Sequence, residues 1–387
     1  MCNWQWRNNE KTRLAVLLTL SLACSHYGFV CKSSELTSRR NSYAWISPSA
    51  RRSISSTFDY GSLHISKEHK VKALQAHKQL LDIPTFTHIE LGPPEPLASL
   101  EVGEAISLFG IHQEAVSIER VAFDPPIYIL HNFLPSEVDR MQLMMNCDLI
   151  ASTKSGFVPH RKNSYVYWID PTEAMEQLLN ENLTEETSRR EIVAAHMTIL
   201  ASHLVVPSST EEEVYEYESV QVVKYDPKGG KFDLHHDGFH RYVTVLTYLN
   251  GIAGTWFPFA TLDEKDESNL PASTQITMEA VGILDDRHPS KHGVLIVGQE
   301  SNYGGRYSDL DLSSIDENNP HVVLVRPGDA VVFYNYLSVE DSPGPSEDNS
   351  QFKPTMNWRS LHAALETQCH DYKWIATNWF QLCSIPS

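Results

Sequence analysis

From Val220 onward the apolar residues of this chain change period, and that change limits the fold more than any other feature. Upstream, Ile192, Ala195, Ile199 and Leu200 recur at helical spacing behind Ser188, with Glu191 placed to complete a capping box. Ser136 reads as another N-cap, with Asp139 in the first helical turn, after a strand over Ile127–Leu130. Downstream the period falls to two. Arg241–Leu249 sets Val243, Val245, Thr247 and Leu249 on one side and Tyr242, Thr244, Leu246 and Tyr248 on the other. Val220–Tyr225, Val322–Val325, Ala330–Tyr334 and Trp374–Phe380 read as further short strands, with Arg326-Pro327-Gly328-Asp329 as a turn. Helices first and short strands afterwards predict an α+β, mainly β fold. Its core is a double-stranded β-helix (jelly roll) with N-terminal supporting helices packed outside.

Charge divides the chain. Residues 1–52 hold eight Lys or Arg and two Glu, a net of +6, so the rest carries −24 of the overall −18. An acidic body excludes general nucleic-acid binding, which needs phosphates neutralised by Lys and Arg. In the basic leader, Arg7, Lys11 and Arg13 precede the apolar run Leu14–Cys24, the layout of a signal peptide or signal anchor over 1–31. The expected compartment is the secretory pathway, in the lumen of endoplasmic reticulum or Golgi, with membrane contact only through that anchor. The Ser/Arg-rich, acid-free stretch Ser38–Ser56 also fits two-step targeting to an organelle. Residues 32–115, with a helix-like Lys67–Leu81 and a Pro-rich Leu91–Pro96, read as an extension ahead of a domain over 116–387. That domain carries a long acidic insertion over 260–320. Cys369 and Cys383 are candidates for a bridge, without a spacing that requires one.

His235-His236-Asp237 carries the chemistry. On a strand, His235 and Asp237 face one way and His236 the other. Two imidazoles and one carboxylate can hold iron(II) on one face and leave the opposite face open. Taken alone, the triplet fits a surface loop as well. Its surroundings resemble the prolyl 4-hydroxylase α-subunit-like family of Fe(II)/2-oxoglutarate-dependent dioxygenases. The resemblance runs through Tyr225–Asp237, Arg241–Leu249, Ala253–Pro258, Arg326–Asn335, Ser360–His362 and Lys373–Trp379, in that order, over about Pro125 to Gln381.

The resemblance implies iron held by His235, Asp237 and His362, with His236 and His240 as bystanders. Lys373 would anchor the distal carboxylate of 2-oxoglutarate, assisted by Tyr225 and Thr255; alone, these three also suit a surface lysine, a strand aromatic and a turn threonine. Arg241 and Trp379 fall where the family touches its peptide, although both suit strand packing too. The implied reaction is 4-hydroxylation of peptidyl proline, with succinate and carbon dioxide as co-products and ascorbate keeping the iron reduced. Hydroxylation of another side chain such as lysine, or a degenerate jelly-roll binding domain, are the alternatives. Several departures bear on the substrate. One residue is inserted between Tyr225 and His235 and one between His362 and Lys373. Phe232 stands where the family often has tyrosine, the loop from Asp237 to Arg241 is short, and the Ala260–Pro320 and Tyr336–Asn357 loops are enlarged.

Overall fold

The computed structural model describes Gln5–Trp6 and most of residues 92–382; 110–114, 146–149, 152–160, 181–183, 185–186, 207–214, 238–240, 266–286, 311–318 and 338–355 lie outside the described residues. The rest of the leader, the helix expected over Lys67–Leu81, His240 and Cys383 therefore fall outside them too. In chain order the first elements are β1 (Gln5–Trp6), β2 (Ala105–Phe109), β3 (Ala115–Ala122), β4 (Ile127–His131), α1 (Glu137–Met144), β5 (Ile150–Ala151), β6 (Arg161–Lys162), β7 (Ser164–Ile169), α2 (Thr172–Asn180) and α3 (Arg189–Val205). There follow β8 (Tyr215–Tyr217), β9 (Val220–Tyr225), β10 (Lys231–His235), β11 (Arg241–Tyr248), β12 (Thr255–Phe257), β13 (Val294–Gly298), β14 (Val322–Val325), β15 (Ala330–Tyr334), β16 (His362–Ala364) and β17 (Lys373–Leu382). No helix among the described residues is long and apolar enough to cross a membrane.

Both expected caps form. The Ser136 hydroxyl accepts from the Asp139 amide, and Ser188 and Glu191 satisfy each other's backbone amides at the start of α3. The buried face of α3 differs from the expected stripe. Val193, Ala194, Met197, Ala201, Leu204 and Val205 enter the core, whereas Ile192, Ile199 and Leu200 are half-buried and only Ala195 of the expected set is fully covered. Spacing alone cannot choose between two apolar stripes; the sheet beneath does. Thr198 accepts from Asn378 Nδ2 on β17 at 2.8 Å, and the Val205 carbonyl accepts from the Tyr334 hydroxyl on β15 at 2.7 Å. These bonds fix the rotation of the helix about its axis.

Two sheets face each other. The larger runs β2-β3-β4-β15-β11-β17-β9-β7-β5, with β8 paired to β17 and β1 to β8. The smaller runs β14-β13-β12-β16-β10-β6 and is antiparallel except for β13 with β14. Period-two alternation sorts the larger sheet. Val220, Val222, Val243, Val245, Ala330, Val332, Ala376 and Phe380 pack under the helices. Val223, Tyr225, Leu246, Tyr248, Val331, Phe333 and Ile375 meet Phe232, Phe257, Val294 and Ile296 of the smaller sheet. Tyr242 joins the helix side because the register of β11 against β17 shifts between Arg241 and Val243.

Two expected boundaries move. Residues 92–109 belong to the body rather than to an extension. Leu97 and Leu100 are core residues, the Leu97 carbonyl accepts from Tyr128, and β2 is a strand of the larger sheet. Within the expected acidic insertion, β13 is a fully buried strand of the smaller sheet. Val294-Leu295-Ile296-Val297 shows no alternation because both its faces are covered. Cys369 is a buried free thiol exchanging hydrogen bonds with the backbone of Asn302, and its expected bridge partner Cys383 lies outside the described residues.

Candidate functional site

Alternation carries the inner face past the apolar core to a polar cluster at one end. Thr244 precedes Leu246 and Tyr248 on β11, Asn335 follows Val331 and Phe333 of β15, and Thr377 and Trp379 continue from Lys373 and Ile375 on β17. Opposite them, His235 closes β10 and His362 opens β16, directly paired across the ladder, with ring centroids 4.3 Å apart. The ladder between these strands is irregular between Phe232 and His235, so both rings face inward and stack with centroids 3.4 Å apart.

His235, Asp237 and His362 each offer one ligand atom, and these atoms lie within 4.8 Å of one another. His235 Nε2 and His362 Nε2 stand 3.7 and 3.8 Å from Asp237 Oδ1. The tautomers follow from the neighbours. His235 Nδ1 lies 2.8 Å from the Asp233 carbonyl and His362 Nδ1 3.1 Å from the Ser360 carbonyl. A carbonyl only accepts, so each Nδ1 carries the proton and each Nε2 presents a lone pair to the common centre. Burial pushes the His235 and His362 pKa values below their ordinary range, which keeps both imidazoles neutral as metal binding requires.

Asp237 is prepared in a complementary way. Its Oδ2 accepts from Thr244 Oγ1 at 2.6 Å and Trp379 Nε1 at 3.1 Å, leaving Oδ1 for the centre. Burial works to raise its pKa, but His362, His235, the Arg241 guanidinium and the Thr244 hydroxyl together hold the carboxyl well below its ordinary value. Arg241 clasps Glu218 with two bonds of 2.5 and 2.8 Å, donates to the Asp237 carbonyl at 3.0 Å, and lies 3.8 Å over the Trp379 ring. Both residues expected at the peptide therefore have partners around Asp237 in this structure. His236 turns away from the centre toward the Trp358 ring, 5.5 Å between centroids.

Lys373 lies deeper in the inner face, paired in register with Tyr225 and 1% exposed. Its ammonium donates to the Gly254 carbonyl at 3.2 Å and stands 5.2 Å from the Tyr225 ring centroid, with no carboxylate partner among the described residues. Desolvation pulls its pKa down to about 7. A Cβ on Gly254 would come within 2.7 Å of the Tyr303 ring, so a glycine is what lets that carbonyl sit beside the lysine. The Thr255 hydroxyl accepts from Tyr248 at 2.9 Å in the same wall.

Four contributors are not among the expected site residues, although Thr244, Asn335 and Ser360 fall within the quoted motifs. Thr244, Asn335 and Ser360 form the polar support of the centre. Thr244 carries a faint signal, as the polar residue on an otherwise apolar strand face. Arg161 carries none. It is 6% exposed, donates to Gln221 Oε1 at 3.1 Å, stands 4.3 Å from the Phe232 ring and has no partner for its Nε among the described residues.

The residues suit the groups that the sequence resemblance implies. Two neutral imidazoles and a carboxylate converging from one side match an iron(II) centre with open positions. A buried ammonium with no counter-charge among the described residues matches an organic anion beside it. No protein-family model matches the chain, and no curated protein is significantly similar in sequence. Several solved structures are similar to it at low identity. A viral collagen prolyl hydroxylase from Paramecium Bursaria Chlorella virus-1, in complex with 2OG, is 16% identical with a TM-score of 0.32, covering 66% of this chain and 96% of that one. A prolyl hydroxylase from Trichoplax adhaerens, bound to a hypoxia inducible factor peptide fragment, is 13% identical with a TM-score of 0.34, covering 67% and 84%. A Pseudomonas putida prolyl-4-hydroxylase is 14% identical with a TM-score of 0.32, covering 66% and 92%. Likeness at this level leaves the chemistry to the residues themselves.

Proposed function

We propose that this protein is an Fe(II)- and 2-oxoglutarate-dependent dioxygenase that hydroxylates proline in a protein or peptide. One observation carries the reading. Nε2 of two histidines and Oδ1 of Asp237 converge on a common centre, and the buried ammonium of Lys373 lies on the same inner face with no carboxylate partner among the described residues. Proline as the target rests on the ordered sequence motifs from Tyr225 to Trp379.

His235, Asp237 and His362 hold the iron. Lys373 neutralises the distal carboxylate of 2-oxoglutarate as a point charge, and the Tyr225 and Thr255 hydroxyls add hydrogen bonds to it, a role taken from the sequence motifs. The chemistry that iron and 2-oxoglutarate supply together with dioxygen is hydroxylation of a C–H bond, coupled to formation of succinate and carbon dioxide. The chain's own contribution is order and dryness. Trp379, 4% exposed and bonded to Asp237, fixes that ligand rather than the peptide. The Arg241 side chain, 24% exposed, retains an edge toward substrate. Phe232, Phe257 and Phe333 pack against the ligand histidines and exclude water. Ascorbate serves to rescue oxidised iron, and the basic, apolar leader supports targeting to the secretory pathway.

The test is mass spectrometry of proline-containing peptides incubated with the protein, iron(II), 2-oxoglutarate and ascorbate. A gain of one oxygen on proline, dependent on 2-oxoglutarate and lost in His235→Ala, is expected. Oxygen on lysine instead would overturn the substrate; undiminished turnover in the variant would overturn the site.

A further inference from the structure

The two ligand-bearing arms of the centre are remote in sequence, yet one buried side chain joins them. Thr244 has a single hydroxyl hydrogen, and its 2.6 Å bond commits that hydrogen to Asp237 Oδ2. The Thr244 oxygen then accepts from Asn335 Nδ2 at 3.1 Å. On its other side Asn335 Oδ1 lies 3.2 Å from Ser360 Oγ, sharing that hydroxyl's one hydrogen with the nearer Asn357 carbonyl at 2.8 Å, and the Ser360 carbonyl accepts the His362 Nδ1 proton. The Asn335 backbone ties in as well, its carbonyl accepting from the Asn357 amide at 2.9 Å ahead of the turn that leads to Ser360. Asn335 and Ser360 are fully buried and Thr244 is 1% exposed, so no water competes for these bonds.

The orientation of the Asn335 amide is forced. Turned over, its oxygen would face a threonine oxygen that has no hydrogen to give. The position needs a donor toward Thr244 and an acceptor toward Ser360, which one neutral amide supplies. Aspartate has the shape without the donor, and would compete with Asp237 for the Thr244 hydrogen.

We propose that Asn335 is a positioning residue for the metal centre, coupling the Asp237 arm to the His362 arm through Thr244 and Ser360 while touching neither metal nor substrate. The inference rests on the metal reading and adds to it a residue outside the ligand set. Losses in such outer partners typically weaken metal binding about 10–100-fold.

Mn(II) titration followed by the electron paramagnetic resonance of the free ion tests it, on the full chain as parent, Asn335→Ala, Asn335→Asp, Thr244→Val and the Asn335→Ala/Thr244→Val double variant. Each single variant is expected to raise the Kd by roughly 10–100-fold. The double variant is expected to be no worse than the weaker single, because both act through one chain of bonds. Metal-free melting temperatures identify a variant that fails to fold; Asn335→Asp, nearly isosteric, is then the deciding variant. Single variants binding within about threefold of the parent, or additive losses in the double, would overturn the coupling. A parent that binds no Mn(II) would overturn the metal reading, and this inference with it.

Discussion

Replacing Lys373 by methionine should move stability and ligand affinity in opposite directions. The ammonium is buried, has one hydrogen bond and meets no carboxylate among the described residues, and desolvation brings its pKa from 10.5 to about 7. The unfolded lysine keeps its proton up to 10.5, so between pH 7 and 10.5 the unfolded state binds more protons and stability rises with pH. Below pH 7 the full cost of the buried charge is present, on the order of 5 kcal/mol from that gap at ~1.4 kcal/mol per pH unit. Lys373→Met removes this cost, and the anion-free protein should gain a few kcal/mol at about pH 6. Binding of 2-oxoglutarate should fall by roughly 100-fold or more, as when one partner of a buried charge pair is truncated. The parent carries a second signature. The free site loses its proton as pH rises through about 7, whereas an anion-bound ammonium retains it, so affinity should drop about 25-fold between pH ~6.5 and ~8.5. Calorimetric titration of 2-oxoglutarate into Mn(II)-loaded protein across that range, with thermal melts of both proteins, reads all three effects. An affinity flat with pH and unchanged by the substitution would mean that Lys373 does not meet the anion.

The ligand set, the larger helix and one surface-facing ion cluster give further expectations. His235→Ala and His362→Ala should each weaken Mn(II) binding by more than about 100-fold, beyond the range of outer-partner losses; retained affinity in either would exclude that imidazole as a ligand. Ser188→Ala removes one half of the α3 capping box and should cost about 1 kcal/mol, read from the urea midpoint, with metal affinity untouched; no shift would mean the cap contributes nothing. His131 sits between Asp329 and Glu119, at 3.3 and 3.2 Å, and although burial works against it these carboxylates raise its pKa to about 9. Its contribution is therefore complete below pH 6.5 and lost as pH rises through about 9, so His131→Gln should flatten the stability profile across that window. The expected size is about 1 kcal/mol, discounted because the Glu119 side chain is 37% exposed. An unaltered profile would contradict it.

The parts of the fold written in local periodicity can be read ahead of the structure, and the parts decided by burial on two sides or by contact at a distance cannot. Arg241–Leu249 alternates because one of its faces meets helices and the other meets the smaller sheet, and both faces are recognisable. Val294–Gly298 is apolar throughout, so it shows no alternation and merges with the acidic stretch around it. Leu97 and Leu100 lie beside the Pro-rich Leu91–Pro96, whose turn chemistry hides two core residues. At the site, the shared facing of His235 and Asp237 is legible from strand alternation, whereas His362 and Lys373 are reached only through the family resemblance. The Thr244–Asn335–Ser360 support is not legible, because its members come from three segments and meet only across the sheets.

If the three ligand atoms and Lys373 form one site, metal and 2-oxoglutarate must bind there together. Calorimetric titration of 2-oxoglutarate into metal-free and Mn(II)-loaded protein puts that to the test. A single shared site requires one bound metal per chain, and 2-oxoglutarate binding that is stronger by roughly 100-fold or more once the metal is in place. Equal affinity with and without metal, or no metal bound by the parent protein, would contradict it.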